Sequence, residues 1–272
     1  MPRTNKTIVL DLDSTLLHTC DDMGVWDSLE IYTNPRNAKL RSRVYYFDLI
    51  DVTEKIGTGS KTVLWGVLRP HVHTFLRFCH EYFENIIVWS AGQKKYVHAI
   101  CDFLFQEFDK QPLVIFSYEN CEIGSNYIHK TLSKFQNIDP SLFPDKPKDF
   151  NIPLGTMYAL DDYDATFSKN KDNGLHIPPY EPEFDYNGIM EDDKTLLNLM
   201  YWLTNNEVLN AVDVRKLDKS SCFDEPKMKF ETINEFLAAV GMSHPRDIPE
   251  EIDAFLEEDN ELISLCPNIR KD

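Results

Sequence analysis

The sequence predicts an α/β protein: a doubly wound parallel sheet with a small antiparallel β insertion after the first strand. Three observations carry this expectation. Short apolar runs alternate with stretches of helical periodicity over residues 7–217, the pattern of strands joined by crossover helices. Each run ends in polar residues, where open α/β sheets bind their ligands. One pair of β-branched and aromatic segments, joined by a Gly/Ser turn, interrupts the alternation.

The first strand is read over 7–12, apolar enough to be buried on both faces and closing on Asp11-Leu12-Asp13. Segments 43–51 and 62–68 flank the turn 57–61 and form the hairpin of the insertion, about 43–68. Pro70 is expected at the first position of a helix whose inner face is Val72, Phe75, Leu76, Cys79 and Phe83. Ile86-Ile87-Val88-Trp89 is the next strand, ending at Ser90. A helix carrying Val97, Ile100, Cys101 and Leu104 follows it. Runs at 113–116 and 157–160 are two further strands, the second ending at Asp161-Asp162, and helices are expected over 193–202 and 206–214. This sets one domain over 1–217 and an acidic helical extension over 218–272, with amphipathic segments at 230–240 and 249–256.

Composition narrows the function. The net charge of −17 opposes extensive nucleic-acid binding, which leans on neutralising phosphates. No apolar stretch approaches the length of a membrane span, and the first residues run straight into a strand, so a soluble intracellular protein is expected. The six cysteines are scattered without CxxC spacing, which predicts reduced thiols and no sulfur-held metal. Eight acidic residues and no base lie between Asp247 and Glu261; a solvated helical face is the default reading.

Asp11 and Asp13, two residues apart at a strand end, face the same way. Two such carboxylates repel unless a cation or a shared proton offsets them; a helix cap and a turn residue are the plainer reading. Phosphoryl transfer gives the pair separate tasks. Asp11 is the candidate nucleophile and Asp13 the candidate proton donor and acceptor. Ser90 is a candidate phosphoryl ligand, although a serine there also suits a helix N-cap. Lys130 is the candidate cation that offsets phosphoryl charge. Asp11, Asp13, Asp161 and Asp162 are the candidate metal ligands, an oxygen-only set suited to Mg²⁺.

Asp11-Leu12-Asp13-Ser14-Thr15-Leu16 resembles the DxDxT motif of the haloacid dehalogenase superfamily. More narrowly it resembles the phosphatases of the RNA polymerase II carboxy-terminal domain and their NLI-interacting-factor-like relatives. Leu68-Arg69-Pro70 is similar to the entry to that family's first core helix, and Val88-Trp89-Ser90-Ala91-Gly92 to its second motif. His129-Lys130-Thr131-Leu132-Ser133 resembles the lysine-bearing third motif, and Leu160-Asp161-Asp162 the fourth. Ser14 stands where the family commonly carries glutamate, and Thr131 follows the lysine where an aspartate is more usual.

The resemblance implies an aspartyl-phosphate enzyme acting on phosphoserine or phosphothreonine in peptides. It implies Thr15, Arg69 and Asn173 as substrate-binding residues, Asp162 as a direct Mg²⁺ ligand, and Asp161 as the residue that orders Lys130 or a metal-bound water. The partner expected is a phosphorylated protein or peptide, for which the basic cluster Arg36, Lys39, Arg41 and Arg43 is a candidate dock. The rival readings are hydrolysis of another phosphomonoester and a catalytically dead binding module of the same fold.

Overall fold

β1 (Thr7–Leu10) is buried along its whole length, as an apolar run between two other strands must be. The computed structural model describes residues 3–52, 59–124, 127–136, 150–166 and 168–242. In chain order β1 is followed by β2 (Leu17–Cys20), α1 (Met23–Ser28), β3 (Val44–Ile50), β4 (Lys61–Leu68) and α2 (Val72–Tyr82). Then come β5 (Asn85–Trp89), α3 (Lys94–Phe105), β6 (Val114–Phe116), and the small pair β7 (Glu122–Ile123) and β8 (Ile128–His129). The described chain closes with β9 (Met157–Asp161), β10 (Gly174–His176), α4 (Tyr186–Met190), α5 (Thr195–Leu203), α6 (Asn206–Leu209) and α7 (Ile233–Ala239).

Five strands form one parallel sheet in the order β10-β9-β1-β5-β6. Leu10 is in register with Val88 on one side and Leu160 on the other. Asp11, Ser90 and Asp161 therefore emerge along one edge of the sheet. Alternation sorts the strand residues between two layers. Val9, Ile87, Trp89, Met157 and Ala159 share a cluster with Phe116, Leu132, Phe135 and Ile152. On the opposite face Tyr158 meets Phe83 and Trp202 at ring distances of 6.2 and 6.3 Å, which places α2 and α5 there. The expected α/β fold, with its additional antiparallel sheet of order β2-β4-β3, is the one observed.

The chain divides into two compact units, the division falling within β2. One holds Met1–His18, Arg69–Glu181 and Asp193–Lys229; the other holds Thr19–Leu68, Pro182–Asp192 and, from Phe230, the described residues to 242. The second unit is organised by aromatic rings. Trp26 lies 5.4 Å from both Tyr46 and Trp65, and Trp65 lies 4.9 Å from Phe184. In the basic cluster, Arg41 donates to the Ile31 carbonyl and covers the Tyr32 ring, and Arg43 donates to the Leu68 carbonyl. These two guanidiniums brace the unit's own backbone.

Several expectations change at element boundaries. α2 begins at Val72, so Pro70 stands outside it, and His71 takes a left-handed turn (φ 65°) at the N-cap. The helix read over 206–214 is split into α6 and a 3₁₀ turn, Val214–Lys216. The segment 230–240 supplies α7, while 249–256 and the acidic run lie outside the described residues. The five cysteines among the described residues are free thiols. No described helix is long and apolar enough to cross a membrane.

Candidate active site

The loop after β1 is built by one carbonyl. Leu12 O accepts from the backbone N–H groups of Thr15, Leu16 and Leu17, and Ser14 supplies the left-handed residue (φ 55°) that closes so tight a turn. The turn carries Thr15 back toward β9. There its hydroxyl accepts from Asp162 N at 3.1 Å and faces Asp162 Oδ1 at 3.3 Å. Thr15 is thus fully buried as the latch between the first and fourth motifs.

Lys130 arrives from a different direction. Its backbone N–H donates to Thr166 O, and the 3₁₀ helix that follows (Leu132–Phe135) drives Leu132 and Phe135 into the core. So anchored, the ammonium donates to Asp11 Oδ1 at 2.5 Å and Asp161 Oδ2 at 2.6 Å. Lys130, Asp11 and Asp161 are all buried. Asp11, Asp161 and Asp162 each bring a carboxylate oxygen within 4.8 Å of the others.

The electrostatics follow from burial. Desolvation pushes the Asp11 carboxyl up to about 8 against the pull of Lys130, with Asp161 and Asp13 adding to the rise. Burial, then the neighbouring Asp161, raises Asp162 as well. Burial works against the Lys130 ammonium, yet Asp11 and Asp161 hold it above its ordinary value. One ammonium is thus set against three clustered carboxylates. An oxygen-only set short of positive charge fits a hard divalent cation, which favours the ionised form of every carboxylate around it.

The expected residues separate into those brought together and those not. Asp11, Lys130, Asp161, Asp162 and Thr15 form one connected group. Asp13 is outside the carboxylate cluster expected to include it: its Oδ1 accepts from the Tyr96 hydroxyl at 2.5 Å. Ser90 is buried, but it is not a helix N-cap. Gln93 caps α3, and Ser90 Oγ accepts from Gly92 N at 3.0 Å, so its own O–H remains a donor. Arg69 is buried beneath the loop, donating to the Thr15 carbonyl and pairing with Asp193 at 2.8 Å, so its contacts brace the loop.

Asn173 sits at the other end of β9, its amide donating to the carbonyls of Leu154 and Met157. The asparagine that supports the site is Asn170, whose amide donates to Lys130 O and whose Oδ1 accepts from Leu132 N. Sequence reasoning missed both Asn170 and Tyr96. Asn170 lies in a polar segment without periodicity. Tyr96 left one signal, an aromatic four residues before the inner-face Ile100.

The sequence pattern of the NLI interacting factor-like phosphatases matches residues 6–215, and the chain belongs to that family. No curated protein matches it. Among solved structures it is similar to Fcp1, described as an essential RNA polymerase II CTD phosphatase, at 21% identity and a TM-score of 0.49, over 66% of this chain and 43% of that one. A fission yeast Fcp1 variant bound to beryllium fluoride gives 22% identity and a TM-score of 0.47, over 66% and 42% of the two chains. The chain thus spans less than half the length of these solved proteins.

Proposed function

We propose that the chain is a Mg²⁺-dependent phosphomonoester hydrolase working through an aspartyl-phosphate, with phosphoserine or phosphothreonine in peptides as substrate. The observation that carries this reading is the buried Lys130 bridging Asp11 and Asp161, with Asp162 close by. A buried ammonium between carboxylates is costly to assemble for stability alone, whereas a reaction that gathers phosphoryl charge needs it.

Asp11, Asp161 and Asp162 are the residues that would hold Mg²⁺. The ion would supply charge to offset the phosphoryl oxygens and keep the carboxylates ionised. Asp11 attacks phosphorus, and the bond to the leaving oxygen breaks as Asp13 gives that oxygen a proton. Water then attacks the aspartyl-phosphate, Asp13 takes its proton, and Asp11 is released. Lys130 stays paired with Asp11 and Asp161 and orients the nucleophile. The Ser90 hydroxyl donates to a phosphoryl oxygen. Asp161 accepts from Lys130 and orders it, one of the two roles the motif resemblance left open for this residue.

An extended substrate is supported by the exposed residues around the fourth motif. Tyr163 directly follows Asp162, its ring lies 6.4 Å from that of Tyr127, and both are about half exposed; Ile123 in β7 is exposed as well. The test is steady-state turnover, with Mg²⁺, of phosphoserine peptides, polymerase-tail heptads among them, beside small sugar and nucleoside phosphates. The reading expects kcat/KM at least about tenfold higher on peptides, about 1.4 kcal/mol of differential binding. Preference for a small phosphate assigns the chain to another phosphomonoester.

A further inference from the structure

The Tyr96 hydroxyl has no place in the chemistry so far, yet it makes one of the shortest contacts at the site. Tyr96 lies in the first turn of α3, its residue only 6% exposed, and donates to Asp13 Oδ1 at 2.5 Å. The approach depends on Gly92. A Cβ there would stand 2.8 Å from Tyr96 Cδ1 and 3.2 Å from Ser90 Oγ. A glycine at 92 therefore lets the ring pass close over the backbone that also presents Ser90.

We propose that Tyr96 is a positioning residue for the proton-transfer step: its hydroxyl fixes the rotation of the Asp13 carboxyl, so that Oδ2 is the oxygen that delivers and recovers the proton. This rests on the phosphatase reading and deepens it. A carboxyl turns easily about its last torsion, whose preference is broad and two-fold, and an acid that rotates presents its proton to the leaving oxygen only part of the time. With Oδ1 accepting from the phenol, Oδ2 is the oxygen proposed to serve the leaving group. In the first step the Asp11–phosphorus bond forms, the phosphorus–leaving oxygen bond breaks, and the Oδ2 proton passes to the leaving oxygen. In the second step the water oxygen bonds phosphorus, the Asp11–phosphorus bond breaks, and a water proton returns to Oδ2. Tyr96 keeps its own proton throughout. A buried tyrosine that merely fills space also seeks a hydrogen-bond partner, so the test must read proton delivery rather than fold.

The experiment is steady-state kinetics with Mg²⁺ on p-nitrophenyl phosphate, phenyl phosphate and a phosphoserine peptide. It compares wild type, Tyr96→Phe, Asp13→Asn and the double variant, with melting curves for each. p-Nitrophenolate leaves with little help from an acid; phenolate and serine alkoxide need it. Tyr96→Phe is expected to keep kcat/KM, which covers the steps up to leaving-group departure and not the later attack of water, within about twofold on p-nitrophenyl phosphate and to lose about tenfold on the other two. The double variant is expected to be no slower than Asp13→Asn alone, because the proposed effect of the phenol runs through that carboxyl. Should Tyr96→Phe melt early, Tyr96→Leu is expected to give the same dependence on the leaving group. An equal loss of kcat/KM on all three substrates, no loss on any, or additive losses in the double variant overturns the positioning role and leaves the phosphatase reading standing. A folded wild-type chain with no Mg²⁺-dependent turnover overturns the phosphatase reading, and this proposal with it.

Discussion

Lys130 concentrates the electrostatics of the site in one side chain. Replacing it by Met removes the cation and leaves Asp11 and Asp161 buried without it. Breaking such a group is expected to cost about 3–5 kcal/mol, read as a lower urea midpoint, together with loss of turnover. Nothing in the residues around Lys130 announces it. The aspartates and Ser90 were legible because each closes an apolar strand run, whereas Lys130 follows a two-residue strand with no hydrophobic pattern and was found only through the motif it resembles. A second prediction at this scale concerns His80, whose ring stacks on Phe108 at 4.4 Å and whose Nε2 is buried without a partner among the described residues. Burial, with Lys110 adding to it, pushes its pKa down to about 4. The unfolded chain, with an ordinary histidine near 6.5, binds the proton first. The neutral ring's contribution is therefore present above pH 6.5 and is lost as pH falls from 6.5 towards 4. Because the side chain is only partly buried, solvent screening discounts the loss to about 1 kcal/mol. Urea titrations at pH 7 and pH 4 measure it, and His80→Phe is expected to remove that part of the pH dependence.

At the scale of elements, the two asparagines near β10 divide stability from function. Asn173→Ala leaves the carbonyls of Leu154 and Met157 without their donor and is expected to cost about 2–3 kcal/mol, with kcat on p-nitrophenyl phosphate within about threefold of wild type. Asn170→Ala loosens the segment that carries Lys130, and is expected to lower kcat about tenfold or more while costing about 1–2 kcal/mol. The two losses are read by urea titration and steady-state kinetics on the same preparations; a kcat loss with Asn173→Ala and none with Asn170→Ala would reverse the assignment. β10 itself escaped the sequence because three residues, Gly174–His176, at a sheet edge carry no apolar run. The five-strand core was legible for the opposite reason, since β1, β5 and β9 are buried end to end. Pro70 misled because a proline before a helix suits its first position in general. Here the left-handed His71 stands between them, and Arg69 is held by the Thr15 carbonyl and Asp193.

For the whole molecule, the net charge of −17 sets a field that repels phosphate substrates, so the local positive charge at the site has to be strong. A divalent cation that binds the folded chain alone is expected to raise its stability by about 2.7 kcal/mol at one hundred times its dissociation constant. A melting series in Mg²⁺ reads that rise, and loss of the rise in Asp162→Ala assigns it to this cluster. Family membership and the parallel sheet were within reach of the sequence because the motifs sit in order at strand ends. The Tyr96–Asp13 contact was not, because it depends on how the first turn of α3 passes over Gly92. The proposed nucleophilic role of Asp11 is measured directly by p-nitrophenyl phosphate turnover of wild type and Asp11→Asn, each with EDTA and with Mg²⁺. Wild-type activity is expected to be lost in EDTA and restored by Mg²⁺, with Asp11→Asn folded and slower by about 10³-fold or more. Turnover by folded Asp11→Asn near the wild-type rate would contradict that role.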